Sequence, residues 1–340
     1  MRTQPIIGTG GFWRTWRGFA AVLAGVALAL LGSAAPAAAG ETYGLGTNPL
    51  GTITYSAGAA IATVGTQKTG LEFRIQPYGG SSQLVPLVNS GELDFGMCNI
   101  LEGTDAYTGA DIFKGHANPD LRVVAVVFPL HSGLIVRNNS DFHTIQDLKG
   151  RAVPVGYTSQ LILRPLFNGV LATAGMTLAD VKGVPVPNIV RAADEFEAGS
   201  LDAFFFAIGA AREAQANASI SGGVRLLPLA DTPASLAALQ KFAPGTYIAT
   251  IQPGQHSPSV RGPTPVLTYD YLLIASSKAK DDVVYKLTKA LHDSQKDLES
   301  TFGVFSEFKP AEMAKKFTIP YHPGAIKYYS EIGAWPPPQG

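Results

Sequence analysis

An α/β fold in two lobes is what this sequence predicts, each lobe a mixed, mostly parallel sheet flanked by helices, the two joined by a pair of crossing strands. Three observations carry the expectation. Strand, helix and strand patterns follow one another in the rhythm of βαβ units. The rhythm occurs twice, on either side of a break near residue 137. About 300 residues remain once an N-terminal leader is set aside, which is too many for one ordinary core.

The leader has three parts. Arg2, Arg14 and Arg17 make it basic, residues 19–31 are almost unbroken apolar, and small residues end at Ala37-Ala38-Ala39-Gly40. Basic, apolar, then A-x-A is a cleavable secretory signal. The apolar run is shorter than the roughly 20 residues of a spanning helix, and no Cys follows it for a lipid anchor. Residues 1–39 are therefore expected to be removed near Ala39, leaving an exported, periplasmic chain.

In order from there, residues 43–47 form a strand and 48–52 a loop. A small-residue helix over 53–65 carries Ile53, Ala57, Ala60, Ile61 and Val64 on one face. Residues 72–76 alternate as a strand. Gly79-Gly80-Ser81-Ser82 opens a helix with Leu84, Leu87 and Val88 at helical spacing, closed by Asn89-Ser90-Gly91. Residues 93–98 return as a strand, and 121–128 are apolar enough for a strand buried on both faces.

The pattern then starts again. Residues 134–136 lead out of the first lobe. Asp147-Leu148-Lys149-Gly150 turns into a strand over 152–156, and Tyr157-Thr158-Ser159 precedes a helix over 160–174. Residues 180–187 are extended, 189–198 helical, and Gly199-Ser200-Leu201-Asp202 turns into the apolar strand 203–207. Residues 271–275 return as a strand, and 283–298 form a helix with Val284, Leu287, Leu291 and Leu298 on one side. The domains expected are 40–136 with 271–340 as the first lobe and 137–270 as the second. Two crossing strands make a hinge, and ligands in such folds sit in the cleft.

Composition excludes several classes. The 26 basic and 26 acidic residues cancel, so no broad basic face awaits nucleic acid or anionic lipid. Cys98 is the only cysteine, so no intrachain disulfide forms. The six histidines are scattered, with no metal-ligand spacing, and neither a metal nor a cofactor is expected. Cys98 and His131 make an isolated pair without an orienting acid, too little for a nucleophile. No serine elbow, H-E-x-x-H or phosphate loop is present, so an enzyme is not expected.

Three loops carry small polar residues just before a helix: Thr47, Asn48, Gly51 and Thr52 in the first, Gly80 and Ser81 in the second, Tyr157, Thr158 and Ser159 in the third. Each exposes backbone N–H groups and the positive end of a helix dipole. Converging, they would make a neutral, donor-rich pocket for a carboxylate. Each helix end contributes roughly 0.3–1 kcal/mol, whereas micromolar binding needs about 8 kcal/mol. Charge-assisted hydrogen bonds must supply the difference. Asn99 at a strand end, His131 near the first crossing, Arg164 in the first turns of a helix and Phe206 at another strand end complete the candidates.

The chain resembles the TAXI-type solute receptors of tripartite ATP-independent periplasmic (TRAP) transporters. The matching phrases are Gly46-Thr47 with its loop, Gly79-Gly80-Ser81-Ser82, residues 87–94, Leu148-Lys149-Gly150, residues 198–205 and the C-terminal His322-Pro323-Gly324-Ala325 with Tyr328-Tyr329 and Glu331-Ile332-Gly333. The last is the most specific. The resemblance implies a two-lobed periplasmic binding protein, type II-like, probing for a small organic anion (a carboxylate, dicarboxylate or acidic amino acid) and delivering it to the membrane subunits of a TRAP permease, itself a monomer. One loop departs: the family's Gly/Ser/Thr-rich stretch is here Gly156-Tyr157-Thr158-Ser159-Gln160, which implies a changed ligand, bulkier or with one carboxylate, that Tyr157 stacks on or donates to. The alternatives are a same-fold receptor for an ABC importer or sensor kinase and, further off, an enzyme on a binding-protein fold.

Overall fold

The computed structural model describes residues 41–254 and 257–337, and the expected signal lies outside them. The first βαβ unit is β1 (Thr42–Thr47), α1 (Ile53–Thr69) and β2 (Glu72–Pro77), with β1 and β2 parallel. Thr52 caps α1 by accepting from the Tyr55 N–H at 3.2 Å, and Gly70 ends it at φ +72°. Small residues let α1 lie close on the sheet: a Cβ on Gly58 would stand 2.4 Å from Thr47 Cγ2.

Helix α2 (Ser81–Ser90) leads to β3 (Phe95–Asn99), parallel to β1. No loop separates β3 from α3 (Ile100–Thr108). Asn99 ends the strand and caps the helix, its side chain accepting from the Glu102 N–H at 2.8 Å.

The chain then enters β4 (Leu121–Arg137), one continuous strand where the sequence suggests two pieces. Apolar residues fill both ends of it, and Pro129 interrupts the pattern without breaking the strand. The second half follows as β5 (Ala152–Gly156), α4 (Leu163–Ala172), β6 (Lys182–Val186), α5 (Ile189–Glu197), β7 (Ala203–Ala207), α6 (Ala211–Ser219), β8 (Val224–Leu226), α7 (Pro233–Gln240) and β9 (Tyr247–Ile251). The return strand β10 (Thr264–Ser276) begins seven residues before the patterned core that predicts it. The C-terminal part holds α8 (Asp281–Asp293), α9 (Gln295–Thr301) and α10 (Pro323–Glu331). The single helix expected over 283–298 is thus broken at Ser294, whose φ −125°, ψ 32° leaves the helical region.

The described strands form a curled mixed sheet in the order β2-β1-β3-β10-β4-β7, with β8 also on β4 and β9 also on β10, and β5 and β6 pair separately in parallel. Pairing is parallel where helices intervene (β1 with β2 and β3) and antiparallel along β4 and β10. One end of the β4–β10 pair carries β3; the other carries β7, β8 and β9. Two lobes therefore share these two strands.

Candidate ligand-binding site

Where the strands of the two lobes end, a cavity is enclosed between them. The first lobe supplies Asn48 after β1, Thr52, Ile53 and Thr54 at the start of α1, Ser81 at the start of α2, and Asn99 at the start of α3. The second supplies Gln160, Ile162 and Leu163 around the start of α4, Ile189 at the start of α5, and Phe205, Phe206 and Ala207 at the end of β7. The crossing strands close it with Leu130 and Ser132 of β4 and Tyr269 and Tyr271 of β10. Leu130 and Tyr269 are cross-strand partners, so they share a face.

Five helices, α1 to α5, begin at this cavity, and the first N–H groups of a helix have no partner within it. No Lys, Arg or His side chain lines it among the described residues. Positive potential there comes from helix ends. Neutral polar groups surround them. The Ser132 and Tyr269 hydroxyls lie 3.1 Å apart, Asn48 Nδ2 is 3.5 Å from the Tyr271 hydroxyl, and Gln160 Oε1 accepts from the Ile189 N–H at 2.9 Å. Asn48 Oδ1 and Ser81 Oγ are buried with no hydrogen-bond partner, an arrangement a folded protein seldom leaves unfilled.

One acid stands among these residues. Glu102, fully buried on the first turn of α3, accepts from the Ser82 hydroxyl at 2.6 Å through Oε1, while Oε2 has no partner. Burial pushes its carboxyl from 4.5 up to about 7, against the Ser81 and Ser82 hydroxyls that pull it down, and Asp105 adds repulsion. Burial also raises the Tyr269 and Tyr271 phenols, with Glu102 adding to both.

The cleft is shut. The space open to the centre of a water molecule is about 30 Å³, room for about two waters on a scale where one needs roughly 10–15 Å³. A larger ligand has to enter with the lobes apart. Direct contacts hold them together: the Leu161 N–H donates to Ser82 Oγ at 3.1 Å, Ser159 Oγ lies 3.2 Å from the Gly79 carbonyl, and the Arg212 N–H donates to the Gly51 carbonyl at 3.0 Å.

Of the residues expected in the cleft, the structure brings five to the cavity: Asn48, Thr52, Ser81, Asn99 and Phe206. Three more stand at its margins. Thr47 is buried behind it with an unpartnered hydroxyl. Gly51 meets Arg212, and Gly80 packs so closely on the second lobe that a Cβ would lie 2.0 Å from the Ser159 carbonyl oxygen.

The remaining five lie away from this cavity. His131 lies on the opposite face of β4 from Leu130 and Ser132, because side chains alternate along a strand. There it bonds to Thr268 at 2.8 Å and Glu307 at 3.0 Å. Tyr157 turns its ring into the second lobe's core, in a left-handed backbone at φ +46°. Thr158 is exposed. Ser159 braces the lobes from outside the cavity wall. Arg164 is exposed too, its Nε donating to the Gly156 carbonyl instead of facing a ligand.

Sequence reasoning missed Thr54, Ser132, Gln160, Tyr269 and Tyr271, and it missed Glu102 beside them. The Asn99-x-x-Glu102 spacing, a cap residue with an acid three positions on, was a signal for α3 and its acid. Period-two alternation through Tyr269 and Tyr271 was a signal for a cavity face of β10.

Two α/β lobes on shared strands with a polar cavity between them make the fold of the two-lobed periplasmic binding proteins. A profile of the NMT1-like family matches residues 45–333, and the chain belongs to that family. Among solved structures it is similar to one described as a periplasmic transporter (TM-score 0.55, 14% identity, 86% of this chain and 92% of that one). It is also similar to PhnD1 of Prochlorococcus marinus in complex with methylphosphonate (TM-score 0.51, 13% identity, 86% and 96%). A third is the alkanesulfonate-binding protein SsuA of Xanthomonas axonopodis pv. citri bound to MOPS (TM-score 0.50, 17% identity, 87% and 92%). At these identities the likeness is one of fold.

Proposed function

We propose that this chain is an extracytoplasmic solute receptor that captures a small organic anion, a carboxylate above all, in the interlobe cavity and delivers it to a membrane permease. The observation that carries the reading is the convergence of five helix N-termini, with unpartnered Asn48 and Ser81 atoms, on one enclosed space free of cationic side chains. Such a site meets negative charge with oriented N–H groups and hydroxyls. The reading is one of binding and release, with no reaction on the ligand.

Capture requires the lobes to separate about β4 and β10, with residues 40–136 and 271–340 moving against 137–270. A ligand bridging both sets of helix ends then favours the closed form. Moving from mostly open to mostly closed needs about 5.5 kcal/mol of differential binding. The basic, apolar and A-x-A leader supports export to the periplasm, and no described helix is long and apolar enough to cross a membrane.

The C-terminal phrase around His322 and Tyr329 supports a TRAP permease as the receiving partner. His322 and Tyr329 are both fully buried, with Tyr329 donating to the Val124 carbonyl at 2.7 Å, so the phrase fastens α10 to β4. An ABC importer or sensor kinase is the second reading of the partner, and it leaves the cleft unchanged. Mass spectrometry of small molecules released from the purified secreted protein tests the ligand, followed by calorimetry with the compound found. A small organic acid is expected. A cationic or purely apolar compound as the bound species would overturn the anion reading.

A further inference from the structure

We propose that the cleft binds its anion together with one proton, held on Glu102 Oε2, which frees the Ser81 hydroxyl to donate to the ligand. This rests on the anion reading above and deepens it: the ligand class becomes a small carboxylate without an ammonium group.

The geometry begins with two buried atoms that have no partner, Glu102 Oε2 and Ser81 Oγ. Ser81 lines the cavity, and its hydroxyl stands near enough to the Glu102 carboxyl to lower it, yet outside hydrogen-bonding geometry with Oε2. Oε1 is already taken by Ser82, whose oxygen also accepts the Leu161 N–H from the other lobe. Closure therefore fixes the carboxyl and leaves Oε2 directed at other groups. As a bare carboxylate Oε2 can only accept, and it would repel an anion across Ser81. Protonated, it becomes a donor, and a small turn of the Ser81 side chain lets Oγ accept from it while the Ser81 O–H donates to a ligand carboxylate oxygen. The proton comes from solvent and stays on Glu102, so no bond is made or broken beyond that transfer.

The groups facing Glu102 agree. On its own helix Asp105 is a like charge, with Oδ2 buried and unpartnered. From β3 comes the buried Cys98 thiol, and from β10 the Tyr269 and Tyr271 phenols, all three raised by burial. From α2 come the Ser81 and Ser82 hydroxyls. Glu102 has no ion pair among the described residues. A carboxyl in that company takes up its proton in the neutral range instead of near 4.5.

The test is isothermal calorimetry of the secreted protein with lactate, pyruvate, succinate, glutamate and methanesulfonate at pH 6, 7 and 8. Wild type should bind its best carboxylate ~10-fold more weakly for each pH unit above 7, the slope of one linked proton. Repeating the titration in buffers of different ionisation enthalpy should show close to one proton taken up at pH 8, without any variant. Glu102→Gln, whose amide donates as the acid does, should bind within about three-fold of wild type at pH 6 and lose the pH dependence. An anion that binds with a flat pH profile and no proton uptake overturns the proposal but leaves the anion reading intact. Affinity that rises with pH and vanishes in Glu102→Gln overturns it in favour of a carboxylate facing a ligand ammonium. No binding of any of the five at any pH overturns the anion reading itself, and this inference with it.

Discussion

The two halves of the cleft are built from the same rhythm of strand, polar loop and helix, yet they use their polar residues differently. In the first half Thr52, an N-cap, Ser81, the first residue of its helix, and Asn99, which ends a strand and caps a helix, line the cavity. In the second half six residues separate Gly156 from Leu163, and the polar ones among them are diverted. Tyr157 folds inward, Thr158 faces solvent and Ser159 reaches the Gly79 loop. What reaches the cavity is Gln160 and apolar Ile162, Leu163 and Ile189. A hydroxyl near a helix start thus need not face the cavity, because the course of the loop decides where it points. In the second half the same residue types brace the fold instead.

The largest way to break this comparison is at Tyr157. If its ring is core and not ligand platform, Tyr157→Ala should cost about 3–5 kcal/mol, as for other buried aromatic side chains, by urea unfolding. Tyr157→Phe should be neutral or slightly stabilising, because the buried hydroxyl has no partner to lose. A stable Tyr157→Ala protein that no longer binds ligand would put the ring back in the site.

Next in size is a pH effect from a buried acid of the first half. Glu102 has an ordinary value of 4.5 and about 7 in the fold, so between those limits the folded state holds more protons than the unfolded one. Stability is then greatest below about 4.5, falls as pH rises towards 7 and levels off above it. The difference of about 2.5 units corresponds to roughly 3 kcal/mol. Asp105, raised to about 6 chiefly by burial, adds in the same direction. Glu102→Gln should make the slope clearly shallower in a series of urea melts from pH 4.5 to 8, leaving the share of the other buried acids. An unchanged slope would mean that this carboxyl is not the group responsible.

Much of the fold was legible because it rests on local pattern. The βαβ units, the glycine-terminated helices and the apolar strands all announce themselves by periodicity. The crossing strands were read only in part: Pro129 hid the continuity of β4, and residues 264–270 mix threonines, a proline and an aspartate that only pairing with β4 and β9 explains. The site was half legible for a similar reason. Cap residues can be recognised from sequence, but which face of β4 meets the cavity depends on register. Assigning the neighbour His131 in place of Ser132 is a one-residue displacement, and that suffices to cross to the other face.

A smaller effect separates the two roles of a polar loop residue. Asn99→Ala removes the α3 cap, for about 1 kcal/mol of stability, and also takes a wall residue from the cavity. Ligand affinity and melting temperature should therefore fall together. Loss of stability with unaltered affinity would reduce Asn99 to a cap.

The smallest effects should come from Thr158 and Arg164. Thr158 is exposed, and Arg164 is exposed with its guanidinium spent on the Gly156 carbonyl. A cation in the first turn of a helix opposes the dipole by a few tenths of a kcal/mol, so Arg164→Gln should leave stability within about 0.5 kcal/mol, the usual range for surface positions. Thr158→Ala should leave the affinity for the native ligand within about two-fold, since no hydrogen bond of this hydroxyl is lost. The comparison of the two halves depends on this small number. If calorimetry showed Thr158→Ala weakening the ligand ten-fold or more, about the worth of one hydrogen bond, then this loop must reorganise on binding and present its hydroxyl, and the second half of the cleft would use its polar tip as the first does.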